Sequence, residues 1–292
     1  MNKKKSIKLF LGGLLVINSI IHLPAYAKSS IDPLEKNMST SYKQKVVDLL
    51  KSIENGDTKP VSYINPQKYI QHNLGVEDGL VGFGALLKQL PKNSAKVDIR
   101  RVLQDGEYVI THTDYNFFGP KVGFDIFRFE KGLITEHWDN LQEKPVSPNG
   151  SGHTMIDGSV KVTDLDKTEE NKTLVRSFLE DVLVNGKMEK LAGYFDGDNY
   201  IQHNPNISDG LSGLGNAIKA MAQQGITMKY NKIHKIFGEG NFVLSVSEGE
   251  FAGKPTSFYD LFRVENGKIA EHWDTIETIP PRKEWKNNNG KF

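Results

Sequence analysis

Across residues 39–54 the apolar positions Tyr42, Val46, Leu49, Leu50 and Ile53 recur at helical spacing, and Gly56 follows as a stop. The spacing predicts a helix there and a second, shorter one over residues 79–90, closed by Pro91. The period then changes. Val97, Ile99 and Arg101 alternate with more polar neighbours, and residues 107–118, 122–129 and 133–141 read as strands. Asp105-Gly106, Gly119-Pro120 and Lys131-Gly132 supply the turns between them.

The same order returns downstream. Residues 169–183 predict a strong helix with Leu174, Phe178, Leu179, Val182 and Leu183 on its apolar side, ended by Gly186. One or two helical turns over 187–194 and a helix over 211–224 follow, then strands over 228–237, 241–251, 256–264 and 268–276. Helices first and an antiparallel meander afterwards is the α+β pattern. Between the halves, residues 145–164 are polar and rich in Gly, Ser, Pro and Asp, yet His153, Met155, Ile156, Val160 and Val162 are spaced through them. A partly ordered linker is expected, with a short strand over 159–163. The Asn/Lys-rich tail, 282–292, is expected to be loose.

Repetition extends to individual residues. Tyr69-Ile70-Gln71-His72-Asn73 returns as Tyr200-Ile201-Gln202-His203-Asn204, and Glu136-His137-Trp138-Asp139 returns as Glu271-His272-Trp273-Asp274. Two motifs kept in order and at nearly constant spacing mean a duplicated folding unit, with units over 39–144 and 165–281.

Composition narrows the setting. Lys3, Lys4, Lys5 and Lys8 precede a mostly apolar stretch and Ala25-Tyr26-Ala27, the pattern of a secretory leader over residues 1–27, with 28–38 a flexible start to the mature chain. A periplasmic or secreted protein is expected, without an integral membrane segment after processing. Loss of the leader's four lysines takes the formal charge from +1 to about −3, which gives no electrostatic case for nucleic acid. Without cysteine there are neither disulfides nor thiol catalysis.

Strand alternation sends Glu271 and Trp273 one way and His272 and Asp274 the other, and likewise separates Glu136 and Trp138 from His137 and Asp139. If His272 and Asp274 face a pocket, Asp274 either orients the imidazole or acts as the base while His holds an oxygen. The bland alternative is a buried polar pair that fixes register. On the other face, Trp138 or Trp273 can be buried between two sheets. His203, in a turn-rich stretch, is expected to point inward, with Asp209 capping the following helix; His72 and Asp78 match them. Asp260 and Asp125 each precede an arginine by three residues, Arg263 and Arg128, which places acid and base on opposite faces. The candidate acid/base set is therefore Asp274, His272, His203 and Asp260, or Asp139, His137, His72 and Asp125. Tyr200, Trp273, Tyr69, Trp138 and His112 are expected to line the pockets. Two His and one Asp per unit also suit a facial triad, but the spacing is too loose to argue a metal, and none is expected.

These motifs, Y-I-Q-H-N before D-G and D-x-F-R-x-x-x-G-x-I-x-E-H-W-D, resemble the SnoaL-like polyketide-cyclase group of the NTF2-like superfamily. The resemblance covers most of the mature chain. It implies two cone-shaped domains, each with N-terminal helices on a strongly curved, mainly antiparallel sheet, and chemistry without cofactor or metal. The acid/base residue it implies is Asp274 in the second unit and Asp139 in the first. The expected ligand is a small hydrophobic or carbonyl-containing molecule, either converted by aldol, lyase or isomerase chemistry or only bound. The units are expected to pair as an internal pseudo-dimer.

Overall fold

The computed structural model describes residues 41–90 and 95–292; the leader expected over 1–27 and the flexible segment expected over 28–38 lie outside them. Helix α1 (Tyr42–Asn55) is capped by Ser41, whose hydroxyl accepts from Gln44 N, and is closed by Gly56 in the left-handed conformation. Then come β1 (Ile70–Gln71), α2 (Gly79–Gln89) and four long strands: β2 (Lys96–Asp105), β3 (Tyr108–Asn116), β4 (Pro120–Glu130) and β5 (Leu133–Glu143). The second half gives α3 (Thr168–Phe178), α4 (Leu191–Tyr194), β6 (Ile201–Gln202) and α5 (Gly210–Gln223). Its long strands are β7 (Met228–Glu239), β8 (Phe242–Phe251), β9 (Lys254–Glu265) and β10 (Lys268–Thr278). The single helix expected over 169–183 instead changes to a wider π-type turn over Leu179–Val184.

Two five-stranded sheets result, ordered β1-β5-β4-β3-β2 and β6-β10-β9-β8-β7. The identical order in both is the structural form of the sequence repeat. Each meander is antiparallel, and the two-residue strand that carries Gln71 or Gln202 adds to it in parallel. The α+β layout stands, but the strongly curved cone does not form. Both sheets are open, with different strands at their two edges, and neither is strongly curled or closed. The outer faces are instead laid against each other, as in a sandwich whose sheets keep only the twist their strands bring.

That contact is a hydrophobic core in its own right. Leu103, Ile110, Phe124, Ile126 and Trp138 from the first sheet meet Phe242, Leu244, Tyr259, Leu261 and Trp273 from the second. Its polar edges repeat too: Lys43 pairs with Glu239 at 2.6 Å, and Lys172 with Asp105 at 2.8 Å. Separate cores lie under the helices, around Leu49 and Phe129 in one half and Phe178 and Phe262 in the other. No helix among the described residues is long and apolar enough to cross a membrane.

The connecting segments depart from expectation. No strand forms over 159–163, and the tail is ordered. Asn149 Nδ2 donates to the carbonyls of Gln202 (2.7 Å) and Ile207 (2.9 Å), so the linker straps the second unit. Asn287 Nδ2 donates to those of Asn73 (2.7 Å) and Val76 (2.9 Å), so the tail straps the first. Each unit's early motif is thus held by the chain leaving the other unit's sheet. Backbone amides and carbonyls that no strand satisfies find partners this way, which is why polar composition did not mean looseness.

Candidate functional site

β6 sets the floor of a cavity of about 400 Å³ in the second unit. It pairs with β10 in the register Ile201↔Glu271 and Gln202↔His272. Alternation therefore puts Gln202 beside His272 and sends Tyr200, Gln202 and Asn204 to the same side as Asp274. Asp260 stands directly opposite Asp274 across β9 and β10. Apolar side chains close the rest, among them Phe178, Phe195 and Phe262 with Leu214, Ala217 and Met221 of α5. Asp209 occupies the N-cap position of α5 but makes no side-chain cap bond; its Oδ1 accepts from Gln202 N at 2.9 Å. Asp78 does the same for Gln71 N. The expected capping role is replaced by one of pinning the short strand.

Polar groups on the floor satisfy one another almost completely. Gln202 Oε1 accepts from Asn204 N (2.9 Å), which fixes its amide orientation, so His272 Nδ1 at 3.0 Å must donate to it. His272 Nε2 lies 3.1 Å from Asp260 Oδ1, and Tyr230 donates to Asp260 at 3.1 and 3.2 Å. Asn204 Nδ2 donates to Asp274 Oδ2 at 2.7 Å. One atom is left over: Asp274 Oδ1 is buried and has no hydrogen-bond partner. Burial pushes the Asp274 carboxyl above its ordinary range, with His272 and Asn204 opposing and the Asp260 charge adding to the rise. For His272, burial works against the charged ring, but the Asp260 hydrogen bond and the Asp274 and Asp260 charges prevail and hold it above its usual value. Tyr200 accepts from Gln202 Nε2 at 2.9 Å, and burial with the two aspartates keeps its phenol firmly protonated.

The first unit repeats the floor with one substitution and one addition. His137 bridges Gln71 Oε1 (3.0 Å) and Asp125 Oδ1 (3.2 Å), and Asn73 Nδ2 donates to Asp139 Oδ2 (2.5 Å). The tyrosine over Asp125 is Tyr115, from β3, whereas Tyr230 comes from β7. Tyr115 is paired with Val97 in the first sheet, and Tyr230 with Gly249 in the second, so the phenol has changed strands within an equivalent pair. Tyr69 packs into the first core with Phe83. The addition is Lys291, from the tail, which lies 3.6 Å from Asp139 Oδ1 and 2.7 Å from Glu277.

Several expected site residues are elsewhere. His203 and His72 do not point inward; each stacks on the tryptophan of its own unit, Trp273 or Trp138, at 4.6 Å between ring centres. Each also meets the neighbouring glutamate, Glu271 or Glu136, at 2.9 Å. Those glutamates are held by Arg263 and Arg128, both at 2.6 Å. Neither tryptophan lines a pocket: both belong to the core between the sheets. Cations from the opposite unit cover them, Arg101 over Trp273 at 4.0 Å and Lys235 over Trp138 at 4.7 Å. His112 is likewise between the sheets, taking a hydrogen bond from Arg101 Nη1 at 3.0 Å. The physical reason is one alternation: residues 201 and 203 share the face of 271 and 273. Gln202, Asn204 and Tyr230 were missed, although the same period-two count that split His272 from Trp273 identifies the first two.

Residues 175–272, in the second half, match the model of the SnoaL-like domain. Among solved structures, TsrD from Streptomyces laurentii is 19% identical over 34% of this chain and 87% of its own, with a TM-score of 0.30. An LEH-like epoxide hydrolase of M. tuberculosis is 24% identical over 38% and 85%, TM-score 0.29. An NTF-2-like protein from Burkholderia xenovorans LB400 is 18% identical over 40% and 90%, TM-score 0.33. No curated protein matches the chain.

Proposed function

We propose that the second unit's cavity takes a small, mostly apolar carbonyl compound and that Asp274 moves a proton on the carbon next to the carbonyl. The observation that carries this is the unpartnered, buried Oδ1 of Asp274 in an otherwise satisfied floor. A carboxyl raised by burial is a better proton acceptor than one in water. As the proton leaves carbon, charge develops on the carbonyl oxygen, and Tyr200 is the donor with a proton to spare, its oxygen being anchored by Gln202. Asp260 and His272 act as positioning residues, since both are engaged with neighbours. Returning the proton at another carbon gives isomerisation; attack by the enolate carbon on a second carbonyl gives an aldol closure. The leader expected at residues 1–27 sets this chemistry outside the cytoplasm.

Capture without conversion is the second reading, favoured by the mutual locking of Gln202, His272, Asp260 and Tyr230. Native mass spectrometry of the protein isolated from its own host identifies the retained molecule, and turnover of that molecule decides between the readings. For an enzyme, Asp274→Asn retains the ligand but loses about 10²–10⁴-fold in kcat, and Tyr200→Phe loses less. Unchanged turnover in D274N sinks the assignment. Retention with no conversion by the parent chain selects capture.

A further inference from the structure

A second cluster lies on the opposite side of β10 from the cavity, where the linker crosses the second unit. Here His203 Nδ1 meets two oxygens at once, Asp157 Oδ1 at 2.8 Å and the Thr154 carbonyl at 2.9 Å. His153 lies alongside, its ring centre 5.1 Å from that of His203 and its Nδ1 3.8 Å from Asp157 Oδ2. One donor atom from each of His153, Asp157 and His203 falls within 4.8 Å of the others.

The far nitrogens of the two imidazoles make the case sharper. His203 Nε2 is 2.9 Å from Glu271 Oε1, and His153 Nε2 is 3.2 Å from Asp209 Oδ2. A carboxylate on Nε2 draws the ring proton to that nitrogen and turns the Nδ1 lone pair the other way, the arrangement found behind metal-bound histidines. For His203 this lone pair then faces two acceptor oxygens in a side chain with no solvent exposure. With the ring neutral and its proton on Nε2, three acceptors converge on one point, which either a second ring proton or a cation among them reconciles.

We propose that His153 Nδ1, His203 Nδ1 and the Asp157 carboxylate, with the Thr154 carbonyl alongside, bind a divalent transition-metal ion of the Zn²⁺ type. At bond lengths of about 2.0 Å, tetrahedral ligand atoms sit roughly 3.3 Å apart, between the 2.8 and 3.8 Å separations to Asp157. His153 and Asp157 are both part-exposed, at 30% and 42% of their side chains, and so have room for the small closure required. The nitrogen and oxygen donors favour Zn²⁺, Ni²⁺ or Cu²⁺ over Ca²⁺ or Mg²⁺.

The first unit is an internal comparison. His72 keeps the glutamate partner at Nε2 and a strap carbonyl, Gly290 O, 2.9 Å from Nδ1. In place of His153 beside Asp209, however, it has Asn289 beside Asp78, at 2.8 Å. No carboxylate approaches its Nδ1 among the described residues, so one site per chain is expected. The ion pins the linker to the second unit, where Trp273 Nε1 already donates to the Asp157 carbonyl at 2.9 Å. Gly158 makes the approach possible: its φ is +83°, and a Cβ there would collide with Glu271 and His203. Because the site and the cavity occupy opposite faces of β10, it is independent of the acid/base reading.

The test is titration of the full chain, stripped with chelator and dialysed, with Zn²⁺ alone in a calorimeter. One equivalent with a Kd in the micromolar range or below is expected, and Co²⁺ in its place gives the visible absorption of a four-coordinate nitrogen/oxygen site. His153→Gln and Asp157→Asn, chosen because neither is buried, each weaken binding at least tenfold while circular dichroism stays that of the parent. Absence of stoichiometric binding overturns the proposal. So does binding that both variants leave unchanged, which would place the ion elsewhere.

Discussion

Asp274 and Asp139 hold the same position in two sheets, and what differs is the company of a single oxygen. Neither Oδ1 has a hydrogen-bond partner, but Asp139 Oδ1 has the Lys291 ammonium 3.6 Å away, and no ammonium among the described residues stands so near Asp274 Oδ1. A carboxylate oxygen left dry costs about 1–3 kcal/mol, a cost that a purely structural pair would have no reason to keep. Replacement by Asn keeps the acceptor for Asn204 and removes the charge. D274N should therefore be more stable than the parent at neutral pH, by about 1–3 kcal/mol in urea unfolding. Lower stability would identify Asp274 as a structural residue. The pH dependence has a definite sign. Folding raises the Asp274 pKa, so the folded state holds that proton more tightly, and stability falls as pH climbs from the ordinary Asp range through the raised value. His272, also raised, contributes stability that is complete below the ordinary histidine range and is lost through its own raised value. D274N should flatten the first of these losses and keep a decline above neutrality.

At the scale of elements, the chain was legible wherever period and side-chain chemistry agreed. Long strands with Gly-containing turns and helices with a clear apolar side gave the order in both halves; the E-H-W-D repeat pointed to His272 and Asp274, and the matched Asp before Phe-Arg to Asp260, all three at the cavity. Side-chain chemistry and strand geometry part at His203. His203 was attractive as a catalytic type, but two residues of β6 are enough to impose alternation and turn it outward. The move of a tyrosine from Tyr115 to Tyr230 was hidden because it requires knowing which strands are neighbours. Inter-sheet cations were hidden for the same reason, and they differ in what they hold. Arg101 covers Trp273 and also donates to the Ser159 carbonyl (2.8 Å), whereas Lys235 only covers Trp138. Arg101→Ala should cost about 3 kcal/mol by combining a lost desolvated cation–π contact with stranded carbonyls. Lys235→Ala should cost about 1 kcal/mol. Equal losses in chemical unfolding would mean that the strap contacts contribute nothing.

For the whole molecule, pairing of the two sheets is supported by more than their shared core, because the straps cross over reciprocally. Residues 145–148 are exposed, including a fully exposed Val146, so a protease site placed there should be cut without disturbing either sheet. The nicked halves should elute together at micromolar concentration; two separate peaks would show that the covalent link holds the pair. The tail makes a stricter test, since it touches the first unit yet belongs to the second. Removing residues 286–292 strips Asn287 from the Asn73 and Val76 carbonyls, Asn289 from that of Gln71, and Lys291 from Glu277. Backbone groups in the first unit's early motif would then depend on water, and Glu277 would lose its ammonium partner, at a cost of about 3 kcal/mol or more. Hydrogen exchange should accelerate across residues 70–78, while 201–209, held by the intact linker, stay protected. Equal acceleration in both motifs would mean that the straps stabilise the pair as a whole; acceleration confined to 70–78 would show that the tail of the second unit latches the first unit's early motif locally.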